Sequence, residues 1–253
     1  MTTHKFAEAS DSDPPTRYAI YWAPRSGSLL AQLGNAWLGR DAERDLCAGG
    51  LPSRPSIPEF TAEQLDALTA EPRRYALHAT LKPPFVLAEG KTFYELRMEL
   101  ASFAKETMPF QIPRLELQSI GKFLALVPSG PSPELNDLAS RCVAEFDKFR
   151  RPASAQELSR RRATGLDAVE EANLHRWGYP YVMERFRFHL TLTGPLDAER
   201  AKRIFSPLAE AMVPATAEPL QIRDIALFVE MHPAGSFRLE ERFELAAQNP
   251  YSS

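Results

Sequence analysis

Two short stretches of the chain could do chemistry: Leu77-His78-Ala79-Thr80 and Phe188-His189-Leu190-Thr191. Each places a histidine two residues ahead of a threonine in apolar surroundings, in a chain with five histidines. An imidazole titrates near neutral pH, so it can accept a proton in one form and donate one in the other. Two of them on opposite sides of a phosphorus could divide those tasks. One would activate water or a hydroxyl, and the other would protonate the leaving oxygen. The hydroxyls of Thr80 and Thr191 could donate hydrogen bonds to the non-bridging oxygens, and a cation could stabilise the developing charge. Lys82, Arg187 and Lys122 are the candidate auxiliary cations. This chemistry calls for no metal and no cofactor. Zinc motifs of the His-Glu-X-X-His kind set two histidines on successive helical turns, a spacing this sequence lacks.

One His-X-Thr is a trivial match, because a strand histidine commonly satisfies a carbonyl or faces solvent. The strand phases make the pair more specific. Side chains of a strand alternate between faces. His189 and Thr191 therefore share a face with Arg185, Arg187 and Thr193, while Phe186, Phe188, Leu190 and Leu192 form a core face. Likewise Arg74, Ala76, His78, Thr80 and Lys82 share a face, and Tyr75, Leu77, Ala79 and Leu81 take the other. Strands laid side by side would line one groove with both polar faces. His4, His175 and His232 fall in a polar leader, a charged segment and a turn, where solvent exposure is the default.

The elements that must position these residues follow from pattern. Arg17–Ala23 reads as a strand stopped by Pro24, with Tyr21 and Trp22 as core residues, either of which could stack on a base. Helices are expected over 28–38, over 61–68 behind a Thr61/Gln64 cap, and over 92–107, 133–149 and 197–212. Strands are expected over 75–85, 114–120, 123–127, 184–196, 220–231 and 236–245, the last two joined at Pro233-Ala234-Gly235. HATLKPPF and HLTLTGPL each precede a helix and two strands, and each has a proline six residues after the histidine. Position 189 follows position 78 by 111 residues, about one lobe. The expected organisation is a disordered leader over 1–16, one bilobal domain over 17–249 and a tail over 250–253. A charged helical insertion interrupts the domain around 150–179. Its Arg150-Arg151 and Arg160–Arg162 clusters read as solvated helix faces, with a phosphate- or RNA-guiding rim as the sharper alternative.

Composition narrows the partners. At 253 residues, 44% hydrophobic and 25% charged, the chain is an ordinary globular one. Its net charge of -3 supplies no global field for long nucleic acid. No apolar run approaches the roughly 20 residues of a membrane helix, and the polar N-terminus has no signal core, so a cytoplasmic protein without a membrane partner is expected. Cys47 and Cys142 read as free thiols.

The paired strands, with the repeated lobe order, resemble the 2H phosphoesterase superfamily, which includes RNA 2′,3′-cyclic phosphodiesterases, also called 2′-5′ RNA ligases. RYAIYWAP, WLGRD and YPYVMERFRFHLTLTGPL are similar to a branch encoded with bacterial phosphonate-utilisation genes. The resemblance spans roughly Arg17 to Leu245. It implies an α+β fold, bilobal and pseudo-twofold, with antiparallel sheets, outer helices and both His-X-Thr strands facing a central cleft. It also implies a metal-independent hydrolase opening a cyclic phosphodiester, with His78 and His189 catalytic and Thr80 and Thr191 binding phosphate. The near-neutral charge favours a small cyclic phosphate. Two alternatives stand beside it. One is processing of RNA ends that carry 2′,3′-cyclic phosphate or 2′-5′ linkages. The other is a non-catalytic module that binds a phosphorylated metabolite.

Overall fold

The structure is a computed structural model that describes residues 15–47, 50–163, 165–232 and 235–246. The expected tail, the Pro233-Ala234 turn and nearly all of the expected leader, His4 included, lie outside the described residues.

The chain opens with β1 (Arg17–Trp22), α1 (Leu29–Leu38) and a short pair, β2 (Arg40–Asp41) and β3 (Leu46–Cys47). Ser28 caps α1 through the Ala31 N–H, and Gly39, in the left-handed conformation at φ 76°, ends it. Next come α2 (Ala62–Arg73), β4 (Ala79–Phe85) and α3 (Phe93–Lys105). Both of these helices start on complete capping boxes, Thr61 with Gln64 and Thr92 with Glu95. Then follow β5 (Phe110–Ile112), β6 (Leu115–Ile120), β7 (Phe123–Pro128) and α4 (Pro133–Glu145). The charged stretch around 150–179 holds two helices, α5 (Ala155–Arg162) and α6 (Ala168–Trp177). The chain continues with β8 (Leu190–Thr191), α7 (Ala198–Thr216), β9 (Leu220–Ile222), β10 (Asp224–Glu230) and β11 (Arg238–Glu244).

The fold is α+β with antiparallel sheets and helices packed outside them. One sheet runs β11-β10-β1-β4, a second runs β6-β7-β8, and β5 pairs with β9. The two sheets are not successive blocks of sequence. β4, beside the first motif, shares its sheet with the hairpin that follows the second motif. β8, in the second motif, pairs with β7 from the block that follows the first. The repeat is therefore real in order but exchanged in space, and the exchange ties both halves into one core. Leu96, Leu100, Phe103, Leu138, Cys142, Phe146, Leu190, Leu192 and Ile204 all belong to that buried cluster. β1 is buried on both sides. Tyr18, Ile20 and Trp22 enter the main cluster, while Ala19, Tyr21 and Ala23 join a smaller one with Phe228 and Phe237.

Several expected boundaries move, each for a local reason. Residues 74–78 are not strand. The N–H groups of Arg74, Tyr75 and Ala76 turn back to the carbonyls of Glu71, Pro72 and Arg73, and Ala76 sits at φ 57°. α2 consequently runs to Arg73, past the expected Leu68. The strand expected over 184–196 shrinks to Leu190–Thr191. Ala125 faces Thr191 and Leu126 faces Leu190, a register that brings Pro128, with no N–H to donate, opposite Phe188. The strand expected over 220–231 divides at Arg223, so that β9 and β10 serve different sheets. Cys47 and Cys142 are free, as expected. Among the described residues, no helix is long and apolar enough to cross a membrane.

Candidate active site

The expected groove exists. A cavity of about 400 Å³ is lined by Thr80 of β4 with His78 just before it, and by Thr191 of β8 with His189 and Thr193 on either side of it. The two imidazoles are held the same way. His78 Nδ1 lies 3.0 Å from the Ala76 carbonyl, and His189 Nδ1 lies 2.7 Å from the Arg187 carbonyl. A carbonyl only accepts, so in each ring Nδ1 carries the hydrogen and Nε2 is left for the cleft. The carbonyl that orients His78 belongs to Ala76, whose left-handed backbone is sterically costly for a residue with a Cβ. His78 Nε2 also lies 3.4 Å from Thr80 Oγ1.

The surroundings of the two rings differ. His78 lies against Tyr21 at 4.1 Å between ring centroids, with Tyr75 at 5.7 Å and Phe228 at 6.4 Å. Burial first and the neighbouring His189 second lower its pKa to about 4, against an opposing hydrogen bond to Ala76. That mutual repulsion fits the two rings sharing one cleft. His189 meets Phe123 at 5.8 Å. Its pKa is also lowered, first by burial and then by the nearby Arg187 charge, with the hydrogen bond to Arg187 opposing both.

The expected cations do not gather here. Lys82 is buried, donates to the Val143 carbonyl at 3.0 Å and reaches Asp147 at 3.5 Å. A bulge explains this. Tyr21 pairs with Thr80 but Ile20 pairs with Lys82, so one extra residue in β4 turns Lys82 to the core side of the sheet. Arg187 donates to Gln118 at 2.6 Å, and Lys122 lines a separate cavity around Pro195 and Asp197. Neither lines the cleft. The cations that do are Arg17 and Arg161, and Glu71 adds a carboxylate to the same lining. Arg17 could not be picked out by spacing, and Arg161 lay in a cluster that reads as a solvated helix face, with a phosphate-guiding rim as the alternative. Tyr21, expected as a core residue that could stack on a base, is buried and pairs with Thr80 across β1 and β4. Thr193, expected on the His189 face, is fully buried and accepts from the Leu124 N–H at 3.0 Å. His175 and His232 are exposed, as expected.

Residues 80–238 match the family model described as a protein of unknown function, DUF1045. The chain belongs to the DUF1045 family. It is also similar to two proteins named ribose 1,5-bisphosphate phosphokinase PhnN. It is 37% identical to that of Janthinobacterium sp. (strain Marseille) over 252 residues, covering 96% of this chain and 53% of that protein. It is 35% identical to that of Laribacter hongkongensis (strain HLHK9) over 223 residues, covering 88% and 50%. The chain thus spans about half the length of the curated relatives it matches. Among solved structures it is similar to E. coli LigT complexed with NADP+, at 15% identity over 92% of this chain and 98% of that one, with a TM-score of 0.42. A structure described as a phosphoesterase matches at 13% identity over 92% and 99%, with a TM-score of 0.39. Those overlaps are weak, and the case for a site in this DUF1045 chain rests on its own cleft residues.

Proposed function

We propose that the cleft is a phosphodiesterase site of the 2H type, in a single bilobal domain over residues 17–249. The carrying observation is the matched pair of imidazoles, each tied through Nδ1 to the carbonyl two residues earlier, on one 400 Å³ cavity. His78 is the general base. Its apolar walls keep it neutral at pH 7, with Nε2 open to accept a proton from water. His189 is the general acid. A bound phosphodiester anion raises its pKa, and the less apolar surroundings let it carry the proton that passes to the leaving oxygen. Thr80 and Thr191 donate to the non-bridging oxygens as charge builds on them. Water oxygen bonds to phosphorus, one ring P–O bond breaks, and the displaced oxygen takes the proton from His189.

The substrate class is a small cyclic phosphate of ribose, handled in a cytoplasmic setting tied to phosphonate use. The relatives' printed name supports this by chemistry. Opening a 5-phosphorylated ribose 1,2-cyclic phosphate at its P–O2 bond yields ribose 1,5-bisphosphate, the compound in that name. The kinase in that name finds no phosphate loop in this chain. A phosphate loop needs Gly-X4-Gly-Lys-Ser/Thr. The Gly90-Lys91-Thr92 stretch has Phe85 where the first glycine belongs, and the Lys91 ammonium lies 5.6 Å from the Phe149 ring centre.

The test is turnover of ribose 1,2-cyclic phosphate, with and without a 5-phosphate, and of nucleoside 2′,3′-cyclic phosphates, each in EDTA. Hydrolysis of at least one of them that persists in EDTA is expected. Turnover abolished by EDTA would overturn the metal-free mechanism. Tight binding without turnover would favour a ligand-binding module.

A further inference from the structure

The turn that presents the Ala76 carbonyl to His78 is held at more points than the end of a helix requires. The N–H groups of Arg74, Tyr75 and Ala76 close α2 on the carbonyls of Glu71, Pro72 and Arg73. Those bonds end the helix but do not aim the Ala76 carbonyl, and Ala76 takes the left-handed backbone at φ 57°. A residue with a Cβ keeps that conformation where its surroundings over-determine it.

Arg74 gathers the surplus bonds. Its carbonyl accepts from the buried Arg40 guanidinium at 2.8 Å and from the Phe237 N–H at 2.9 Å. Its own Nε donates to the Gly235 carbonyl at 2.6 Å, and its Nη2 donates to one oxygen of Glu230. Glu230 is fully buried, and its other oxygen accepts from Arg17 at 2.5 Å, so two arginines share one carboxylate. Phe237 also stacks on Tyr75, with 5.2 Å between ring centroids and 19° between planes. Ala76 itself is buried in the cluster that holds Phe228 and Phe237.

One donor on the Arg74 carbonyl would satisfy the helix end. The side-chain bonds to Glu230 and Gly235 add position rather than capping. Strand phase predicts Arg74 on the His78 face, yet Arg74 does not line the cleft. Arg40 belongs to the WLGRD stretch, to which the proposed proton transfers give no role. Both residues act at one place, two residues ahead of the carbonyl that orients His78. If that carbonyl swings away, Nδ1–H loses its acceptor in apolar surroundings and the proton can move to Nε2. A ring with hydrogen on Nε2 has no lone pair there to take a proton from water.

We propose that Arg74, clamped by Glu230 and Arg40, is a positioning residue that keeps His78 in the Nδ1–H tautomer with Nε2 toward the cleft. Its catalytic consequence rests on the phosphodiesterase reading. The experiment records ¹⁵N spectra of the histidine rings at pH 7, with kcat and KM for a cyclic phosphate, in wild type, Arg74→Met, Arg74→Lys and Arg40→Met. His189 hangs from the Arg187 carbonyl on another segment and is the internal control. Wild type is expected to hold both rings as the Nδ1–H tautomer. In Arg74→Met, His78 becomes a mixture of tautomers and His189 does not change, while kcat falls by about 10- to 100-fold with KM within about threefold, the scale of a misplaced catalytic group. Arg74→Lys recovers part of both effects, and Arg40→Met gives a smaller change in the same direction. Arg74→Lys keeps a cation for Glu230 and Arg40→Met leaves that pair intact, so either serves if Arg74→Met does not fold. Folded variants whose His78 tautomer is unchanged, or in which both rings change together, overturn the proposal and leave the phosphodiesterase reading standing. If no cyclic phosphate turns over, that reading fails by itself, and the ring spectra alone decide whether Arg74 positions His78.

Discussion

The two sides of the cleft share a hydrogen-bond design and differ in their walls. On each side Nδ1 donates to the carbonyl two residues earlier, so Nε2 is the nitrogen left for the cleft on both sides. On one side His78 is packed among Tyr21, Tyr75 and Phe228. On the other, His189 meets Phe123 and no second aromatic ring among the described residues, and it lies near the Arg187 charge. One motif used twice can thus give unequal partners, because the residues around it and not the motif set the proton affinity. In the proposed mechanism that inequality makes His78 the base and His189 the acid.

The largest test of the comparison is removal of either ring. His78→Ala and His189→Ala are each expected to lower kcat by about a thousandfold, within the 10²–10⁴ range for general acid–base groups, as measured by steady-state hydrolysis of a cyclic phosphate. A smaller effect should show in stability. With a folded pKa of about 4 for His78, against about 6.5 when unfolded, the unfolded chain binds more protons between those values. The neutral ring therefore adds its full stability above pH 6.5 and loses it as the pH falls toward 4. The total is on the order of 3 kcal/mol. Urea unfolding from pH 7 to 4.5 should show this decline, and His78→Gln should remove most of it.

The threonines come next. Thr80→Val and Thr191→Val keep the shape and remove a donor, so each should lower kcat by about 10- to 100-fold, at or below the usual loss of an oxyanion donor. The smallest expected change separates neighbours in β4. Lys82→Met should leave the turnover rate within about twofold, because Lys82 faces α4, while unfolding reports a loss of about 1 kcal/mol for the unpaired Val143 carbonyl. A Lys82 variant as slow as Thr80→Val would put Lys82 back in the cleft.

Much of this was legible in the sequence. Phe188, Leu190 and Leu192 are buried as their alternation demands, and the capping pairs Thr61/Gln64 and Thr92/Glu95 start their helices. His78, Thr80, His189 and Thr191 do line one cavity, as the doubled motif suggested, although both histidines sit just before β4 and β8, outside the strands expected to carry them. What was not legible depends on contacts between distant residues. The β4 bulge that inverts Lys82 is set by its register with β1. The exchange of motif strands between the hairpins is a matter of tertiary pairing that no local pattern records. Arg161 and Arg162 are neighbours of one type, and only the placement of Glu171 and Tyr179 tells them apart.

The most direct test of a single shared site is an NMR titration of the histidine rings with inorganic phosphate. If one anion lies between His78 and His189, both rings shift with the same apparent Kd and both pKa values rise, with His78 remaining the lower, while exposed His175 and His232 do not follow that curve. Two different dissociation constants, or a response from only one of the cleft histidines, would contradict the account.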